Sequence, residues 1–197
     1  VIPTSSLVTT ESGGSAVFTV VLNSQPSADV RIFLQSSDSS EGTVSPEELV
    51  FTSGNWNITQ SITITGANDS VVDGDVVYTV ITVPASSTDS NYNGLNGADV
   101  SVTNVDNDTA GITVTPTSGL ETTEAGGTDT FTVVLTSQPT ANVTIGLTSS
   151  DTTEGTVSPA SLTFTQANWS TPQTVTVAGV NDPVMDGDIA YSIVTAA

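Results

Sequence analysis

The chain has 197 residues and a formal net charge of −20, because 21 carboxylate side chains are accompanied by one basic side chain, Arg31, and by no histidine. Cysteine is absent as well, so disulfides, thiolate metal sites and the usual soft ligands of zinc and copper are excluded. The clustered Lys and Arg that bind nucleic acid are missing, and no apolar run approaches the about 18–20 residues of a membrane span, so we expect neither nucleic-acid binding nor membrane insertion.

Alternation of apolar with polar residues predicts β-strands along the chain and no helix of useful length. Segments rich in Gly, Pro, Ser, Asn and Asp separate these runs, as turns do. The strands expected in the first part of the chain span residues 2–9, 15–23, 28–36, 47–52, 57–66, 76–84 and 98–105. This arrangement is typical of an immunoglobulin-like β-sandwich and predicts an all-β fold class.

The sequence repeats itself with a shift of 113 residues. Residues 1–84 align without a gap with 114–197, and 47 of these 84 positions are identical. We therefore predict two tandem sandwiches, residues 1–110 and 111–197. The second copy ends where the first continues with 85–113, so we expect it to lack its last strand. Either further residues of a longer array or a strand donated by a neighbouring subunit would complete it.

Acidic residues concentrate in a motif that occurs twice, as "NDSVVDGD" in 68–75 and "NDPVMDGD" in 181–188. Carboxylates this close repel one another unless a cation neutralises them. If consecutive strands are antiparallel, the connections that carry most acids meet at one end of each sandwich, together with the residues after the last strand. The predicted metal ligands are Glu11, Asp38, Glu41, Asn68, Asp69, Asp73, Asp75, Asp106 and Asp108 in the first copy, and Glu124, Asp151, Glu154, Asn181, Asp182, Asp186 and Asp188 in the second.

Calcium is the ion that these residues suit. Ca²⁺ takes about six to eight oxygen ligands in tolerant geometry, and several loops meeting at one end of a sandwich can supply them. The competing interpretation is an acidic surface that is simply solvated.

Three stretches, "TESGGSAVFTVVL", "SITITGANDSVVDGDVVYTV" and "VTNVDNDTAGITV", resemble the Calx-beta repeat, the calcium-binding sandwich of sodium/calcium exchangers that recurs in bacterial surface proteins. The resemblance implies that Glu11, Asp106 and Asp108 are calcium ligands at the junction between repeats, with Glu124 as the counterpart of Glu11. The chain departs from the family in lacking its usual Asp-Tyr pair between the third and fourth strands, so the number of ions per site stays open.

The function expected from this pattern is that of a calcium-binding structural repeat in an extracellular or cell-surface adhesin or filament. Calcium would fix the junction between neighbouring repeats, which are the other expected partners. The alternative is a module that recognises carbohydrate or protein, with Tyr92 in the 86–97 loop as an exposed aromatic platform. An enzyme is not expected, because carboxylates in polar loops lack the apolar pocket that raises the pKa of a general acid.

Overall fold

The computed structural model describes residues 1–185 and 187–196, so the predicted ligand Asp186 and the terminal Ala197 lie outside the described residues. The chain separates into two compact units. The first consists of Val1–Asp69 and Asp73–Asn107, and the second of Ser70–Val72 and Asp108–Ala197. Every regular element within the described ranges is a β-strand, which confirms the all-β fold class. These ranges contain no helix that is long and apolar enough to cross a membrane.

The described residues of the first unit form nine strands: β1 (Leu7–Thr10), β2 (Ser15–Val20), β3 (Val30–Ser36), β4 (Gly42–Ser45), β5 (Glu48–Phe51), β6 (Gln60–Gly66), β7 (Val76–Thr82), β8 (Ser86–Ser87) and β9 (Val100–Val105). Six of them make a sheet of order β1-β9-β7-β3-β5, with β8 beside β3, and the others make a sheet of order β2-β6-β4. β1 is parallel to β9, and the other paired strands are antiparallel. β9 therefore lies between β1 and β7 in the larger sheet.

The core of the first unit follows from the alternation along its strands. Phe18 and Ile62 point inward from the smaller sheet, and Val30, Val80 and Val100 point inward from the larger one. All five are fully buried. Burying one such side chain contributes about 1.5–3 kcal/mol, so this shared core is what holds the two sheets together as a sandwich.

The number of strands differs from the predicted seven. β4 follows directly on the Ser- and Asp-rich loop and was not predicted. Only two of its four residues, Gly42 and Val44, are buried, so its apolar pattern is too short to identify a strand. β8 has two residues and no apolar pattern. The predicted first strand is shorter, since Ile2 bridges Thr19 of β2 in one sheet while Leu7–Thr10 pairs with β9 in the other. Ser6, at a φ of 64°, lies where the chain passes between the sheets.

In the second unit, the described residues form the strands β10 (Ile112–Thr115), β11 (Thr128–Leu135), β12 (Val143–Ser149), β13 (Gly155–Ser158), β14 (Ser161–Phe164), β15 (Gln173–Gly179) and β16 (Ile193–Ala196). Their sheets have the orders β10-β11-β15-β13 and β14-β12-β16. The core repeats that of the first unit, with Phe131, Val133, Ile145 and Val175 buried between the sheets. Each unit thus has its own core.

Separate cores predict separate unfolding transitions. Phe51 and Phe164 are equivalent in the repeat, and both are fully buried. Phe51→Ala should destabilise the first unit by about 3–5 kcal/mol, and Phe164→Ala the second by a similar amount, since each leaves a large cavity. Differential scanning calorimetry should show one transition lowered in each variant. A single transition that both variants shift equally would contradict the division into domains at residues 110 and 111.

Candidate metal centre

Four segments of the first unit meet at one end of its sandwich. They are the β1–β2 turn with Glu11, the β3–β4 loop with Asp38 and Glu41, residues 67–69 and 73–75 between β6 and β7, and Asp106 and Asn107 after β9. Backbone hydrogen bonds fix them to one another. The amide of Glu11 donates to the carbonyl of Val105 over 3.1 Å, and the amide of Ala67 donates to the carbonyl of Glu41 over 2.9 Å. The segments that carry the predicted ligands are therefore neighbours.

The first carboxylate group, called here the Glu41 group, consists of Glu41, Asp69 and Asp73. Each offers a carboxylate oxygen, and these oxygens lie within 4.8 Å of one another. Glu41 is only 6% exposed, whereas Asp69 is half-buried and Asp73 is exposed. One buried oxygen ligand is thus joined by two that open toward solvent, so an ion could enter from outside.

Burial raises the pKa of the Glu41 carboxyl above its ordinary value of 4.5. The negative charges of Asp73, Asp38 and Asp69 raise it further, and a hydrogen bond from Asn104 opposes them. The ionised form of Glu41 is therefore disfavoured where it stands, because it is taken from water and placed beside other carboxylates. A bound cation would reverse that preference.

The second group, called here the Glu11 group, consists of Glu11, Asp106 and Asp108, whose carboxylate oxygens also lie within 4.8 Å of one another. Glu11 is 3% exposed, and its Oε2 accepts a hydrogen bond from the amide of Asn107 over 3.2 Å. Asp108 follows Asp106 by two residues, so the chain itself brings these two carboxylates together. The resemblance noted above implied these three residues, and the structure places them in one group.

Gly74 links this group to the acidic loop. Its amide donates to Oδ2 of Asp106 over 2.8 Å, and the amide of Asp106 donates in turn to Oδ1 of Asp75 over 3.3 Å. Gly74 has a φ of +78°, a left-handed conformation that glycine adopts without the steric cost of a Cβ. The glycine between the last two acids of the motif thus lets the loop turn back onto the residues after β9.

A chain of hydrogen bonds between buried side chains holds the Glu41 carboxylate. Nδ2 of Asn104 donates to Oε2 of Glu41 over 3.3 Å and to the carbonyl of Ala67 over 3.1 Å. Oγ1 of Thr9 donates to Oδ1 of Asn104 over 3.0 Å, and the hydroxyl of Tyr78 lies 3.3 Å from Oγ1 of Thr9. All of these side chains are buried. They fix the position of the Glu41 carboxylate relative to β1, β7 and β9.

This polar chain was not predicted from the sequence. Its one visible sign is that Thr9 and Asn104 occupy inward positions in strands whose other inward residues are apolar, such as Val100 and Val102 of β9. A polar side chain at such a position must find hydrogen-bond partners inside the protein. Asn104 finds them in the loops that carry the acids.

The donor set fits calcium. Two oxygens bound to one Ca²⁺ at about 2.3–2.6 Å can be at most about 5 Å apart, and the oxygens of each group meet this limit. Every available ligand atom is a hard oxygen, since the chain has no His or Cys. Its one basic side chain, Arg31, is paired with Glu48 on the β3–β5 ladder. Arg31 therefore does not neutralise either group.

Three predicted ligands of the first unit lie near these groups but outside them. Oδ1 of Asp38 accepts hydrogen bonds from the hydroxyl and the amide of Ser40, which lower the pKa of Asp38. Asn68 accepts a hydrogen bond from Nδ2 of Asn107 over 3.1 Å, and Asp75 holds the amide of Asp106. The hydrogen bonds of these three residues connect positions within and between the loops.

The second unit places its predicted ligands differently. Glu124 is exposed, unlike its buried counterpart Glu11. Asp151 accepts hydrogen bonds from Thr153, which lower its pKa, and Asp182 accepts one from the amide of Val184. Glu154, Asn181 and Asp188 line an open cleft. In the part of this unit that the structure describes, no three carboxylates come as close as in the groups of the first unit.

The aromatic platform proposed for a recognition module is not exposed. Tyr92 is 9% exposed and belongs to the core of the first unit. Its hydroxyl donates to the carbonyl of Ser24 and accepts a hydrogen bond from the amide of Ser24. The expectation that Tyr92 offers a binding surface is therefore wrong, because the 86–97 loop folds back and closes that end of the sandwich.

No protein-family model matches the chain, and no curated protein matches its sequence. Among solved structures, it is similar to CBD12 from CALX1.2, with a TM-score of 0.42 and 16% identity over 98% of this chain and 77% of that one. It is also similar to the calcium binding domain CBD12 of CALX1.1, with a TM-score of 0.42 and 17% identity over 98% of this chain and 78% of that one. For the E. coli chaperone DraB, the TM-score is 0.36 and the identity is 9%, over 90% of this chain and 84% of that one. Similarity at this level establishes neither a shared family nor a shared ligand.

The raised pKa of Glu41 predicts the effect of removing its charge in the absence of calcium. Stability linked to this group is present below the unfolded pKa, near 4.5, and is lost as pH rises through the higher folded pKa. Glu41→Gln keeps an oxygen that can accept the hydrogen bond from Asn104. In chelator at pH 7 it should therefore raise the melting temperature of the first unit, and this gain should disappear at pH 4.

The matched control is Glu47→Gln, which removes one charge from an exposed residue of the β4–β5 connection. It should leave the melting temperature nearly unchanged at both pH values. Equal effects of the two substitutions, or a loss of stability in Glu41→Gln at pH 7 in chelator, would show that the charge of Glu41 carries no penalty.

Proposed function

We propose that the chain binds Ca²⁺ through the Glu41 and Glu11 groups, and that it is a structural repeat of an extracellular or cell-surface adhesin or filament. The observation that carries the proposal is the burial of two glutamates, Glu11 and Glu41, each in a group of three close carboxylates. The sequence holds one basic side chain, which pairs elsewhere. Charges held this way are costly unless an ion from solution compensates them.

Calcium, when bound, would place positive charge between the carboxylates of each group. The chain's own residues position the carboxylates. Asn104 holds the Glu41 carboxylate in place, and the amide of Asn107 holds that of Glu11. The amide of Gly74 orients Asp106. Because these donors are already positioned, little conformational entropy remains to be lost on binding.

The role proposed for the site is structural. A ligand that binds only the folded state stabilises it by about 2.7 kcal/mol at a hundred times its dissociation constant. Asp106 and Asp108 belong to the segment "DNDTAG" (106–111), which is too short to act as a free tether between the repeats. An ion held by these residues would fasten the start of that segment to the first unit.

An extracellular location is part of the same proposal. Calcium-binding modules outside cells work with dissociation constants of about 10⁻⁴–10⁻³ M. The ligands here come from four segments, and several of them are partly exposed, which is compatible with binding in that range. No catalytic step is proposed. Each group includes carboxylates that are open to solvent, and a general acid instead needs an apolar pocket that raises its pKa.

Calcium should raise the melting temperature of the first unit by more than that of the second. The first unit holds the Glu41 group and both buried glutamates, whereas Glu124 of the second is exposed. Calorimetric scans in chelator and in millimolar CaCl₂ measure the difference, and Phe51→Ala assigns the transitions. Equal melting of the first unit in chelator and in calcium would contradict calcium binding.

Glu11 and Glu124 provide a matched pair of substitutions, because they are equivalent in the repeat. Glu11→Gln should weaken calcium binding by about tenfold or more, as loss of a positioned ligand does. Glu124→Gln should change it little. Isothermal titration calorimetry on the full chain measures both. Equal losses, or none in Glu11→Gln, would remove the Glu11 group from the proposed site.

A further inference from the structure

The connection between β8 and β9 contains two asparagines that are each followed by a glycine, Asn93-Gly94 and Asn96-Gly97. The sequence has this dipeptide at no other position. Asparagine in this context can lose its side-chain amide without an enzyme, because the backbone nitrogen of the next residue attacks the side-chain carbon. Glycine has no Cβ to obstruct that approach. The two sites lie in one loop, so their surroundings can be compared directly.

Hydrogen bonds fix the backbone at the first of these sites. The amide of Gly94 donates to the carbonyl of Ala85 over 2.8 Å, and the amide of Ala85 donates in return to the carbonyl of Leu95 over 2.8 Å. Oδ1 of Asn93 accepts a hydrogen bond from the amide of Ser87 over 3.3 Å. The nitrogen that would attack and the side chain that would be attacked are therefore both engaged.

The turn before Gly94 is anchored in the sandwich. The amides of Tyr92 and Asn93 donate to the carbonyl of Asp89 over 3.0 and 2.9 Å. Tyr92 belongs to the core, and its hydroxyl donates to the carbonyl of Ser24. A change of backbone conformation at Asn93 therefore requires this turn to open locally, and local opening costs free energy.

The second site lacks these restraints. Asn96 and Gly97 are exposed and lie within residues 95–99, which belong to no strand. The residues that the structure describes make no hydrogen bond with the side chain of Asn96 or with the amide of Gly97. The carbonyl of Gly97 accepts a hydrogen bond from Oγ1 of Thr82 over 2.8 Å, so the loop is anchored there without its nitrogen. The attacking atom is free, and the amide that would leave is open to water.

We propose that Asn96 is a site of spontaneous deamidation in the folded chain and that the fold protects Asn93 from the same reaction. The backbone nitrogen of Gly97 forms a bond to Cγ of Asn96, and the bond from Cγ to the side-chain nitrogen breaks. The proton of the Gly97 amide passes through solvent to the departing nitrogen, which leaves as ammonia. Water then opens the resulting five-membered succinimide at either of its two carbonyl carbons, which gives aspartate or isoaspartate at position 96.

Both products change the chain chemically while leaving its core in place. Each adds a carboxylate to a chain whose formal net charge is already −20. Isoaspartate also routes the backbone through the side-chain carbons, which lengthens the segment between the anchored carbonyls of Leu95 and Gly97. Position 96 is exposed and precedes the buried Val100, where β9 begins. Because changes at exposed positions usually alter stability little, the modified chain should remain folded.

The test follows both asparagines in the full folded chain, kept in mildly alkaline buffer with chelator so that calcium plays no part. Samples are digested with a protease that cleaves before aspartate, in mildly acidic buffer that slows deamidation during the digest. Peptide 89–98 contains both sites, and mass spectrometric fragmentation that distinguishes isoaspartate from aspartate assigns each conversion. Asn96 should convert at least about tenfold faster than Asn93, because the hydrogen bond of Gly94 must break before its nitrogen can react.

A synthetic peptide of residues 89–98 is the matched control, since it has both Asn-Gly pairs and none of the tertiary contacts. Its two asparagines should convert at similar rates, and Asn93 should convert more slowly in the folded chain than in the peptide. Asn96→Gln alters one exposed side chain. It should abolish the rapid release of ammonia from the folded chain and leave the melting temperature unchanged.

Hydrogen exchange tests the structural cause. The amide of Gly94 should be protected in the folded chain, whereas that of Gly97 should exchange nearly as fast as in the synthetic peptide. The proposal is overturned if Asn93 converts as fast as Asn96 in the folded chain, or if Asn96 stays intact there while it converts in the peptide. Equal protection of the Gly94 and Gly97 amides would overturn it as well.

Discussion

The constraint on which the first unit depends is the burial of two glutamates among other carboxylates. Glu11 and Glu41 lie at 3% and 6% exposure, each among other carboxylates. A single exposed ion pair adds little stability, but buried like charges cost a great deal. The pKa of Glu41 is raised by burial and by its acidic neighbours for the same reason. A cation bound between these carboxylates would offset that cost, which is the basis of the calcium binding proposed above.

β9 connects the site to the fold. Its inward residues Val100 and Val102 complete the core, Asn104 holds Glu41, and the chain immediately after it supplies Asp106. Packing and ligand placement are therefore properties of one strand. In the second unit, Glu124, the counterpart of Glu11, is exposed, and it lines an open cleft together with Glu154 and Asp188.

Much of this organisation could be predicted from the sequence. Period-two alternation gave the long strands and the core residues Phe18, Val20, Val30 and Leu34, and antiparallel connection brought the acidic loops to one end. The short strands β4 and β8 could not be predicted, because they contribute few apolar residues. The burial of Tyr92 and the polar chain through Asn104 depend on how loops fold over the sandwich ends, which local pattern does not encode. The exposure of Glu124 could not be predicted either, because the repeat makes it the counterpart of the buried Glu11.

The most direct test of the account is a crystal structure of the full chain grown in calcium, with anomalous difference density collected at a long wavelength where calcium scatters strongly. The account predicts peaks between the carboxylates of Glu41, Asp69 and Asp73 and between those of Glu11, Asp106 and Asp108. Ligand distances should be about 2.3–2.6 Å. Ordered water without anomalous signal in both groups, at saturating calcium, would contradict it.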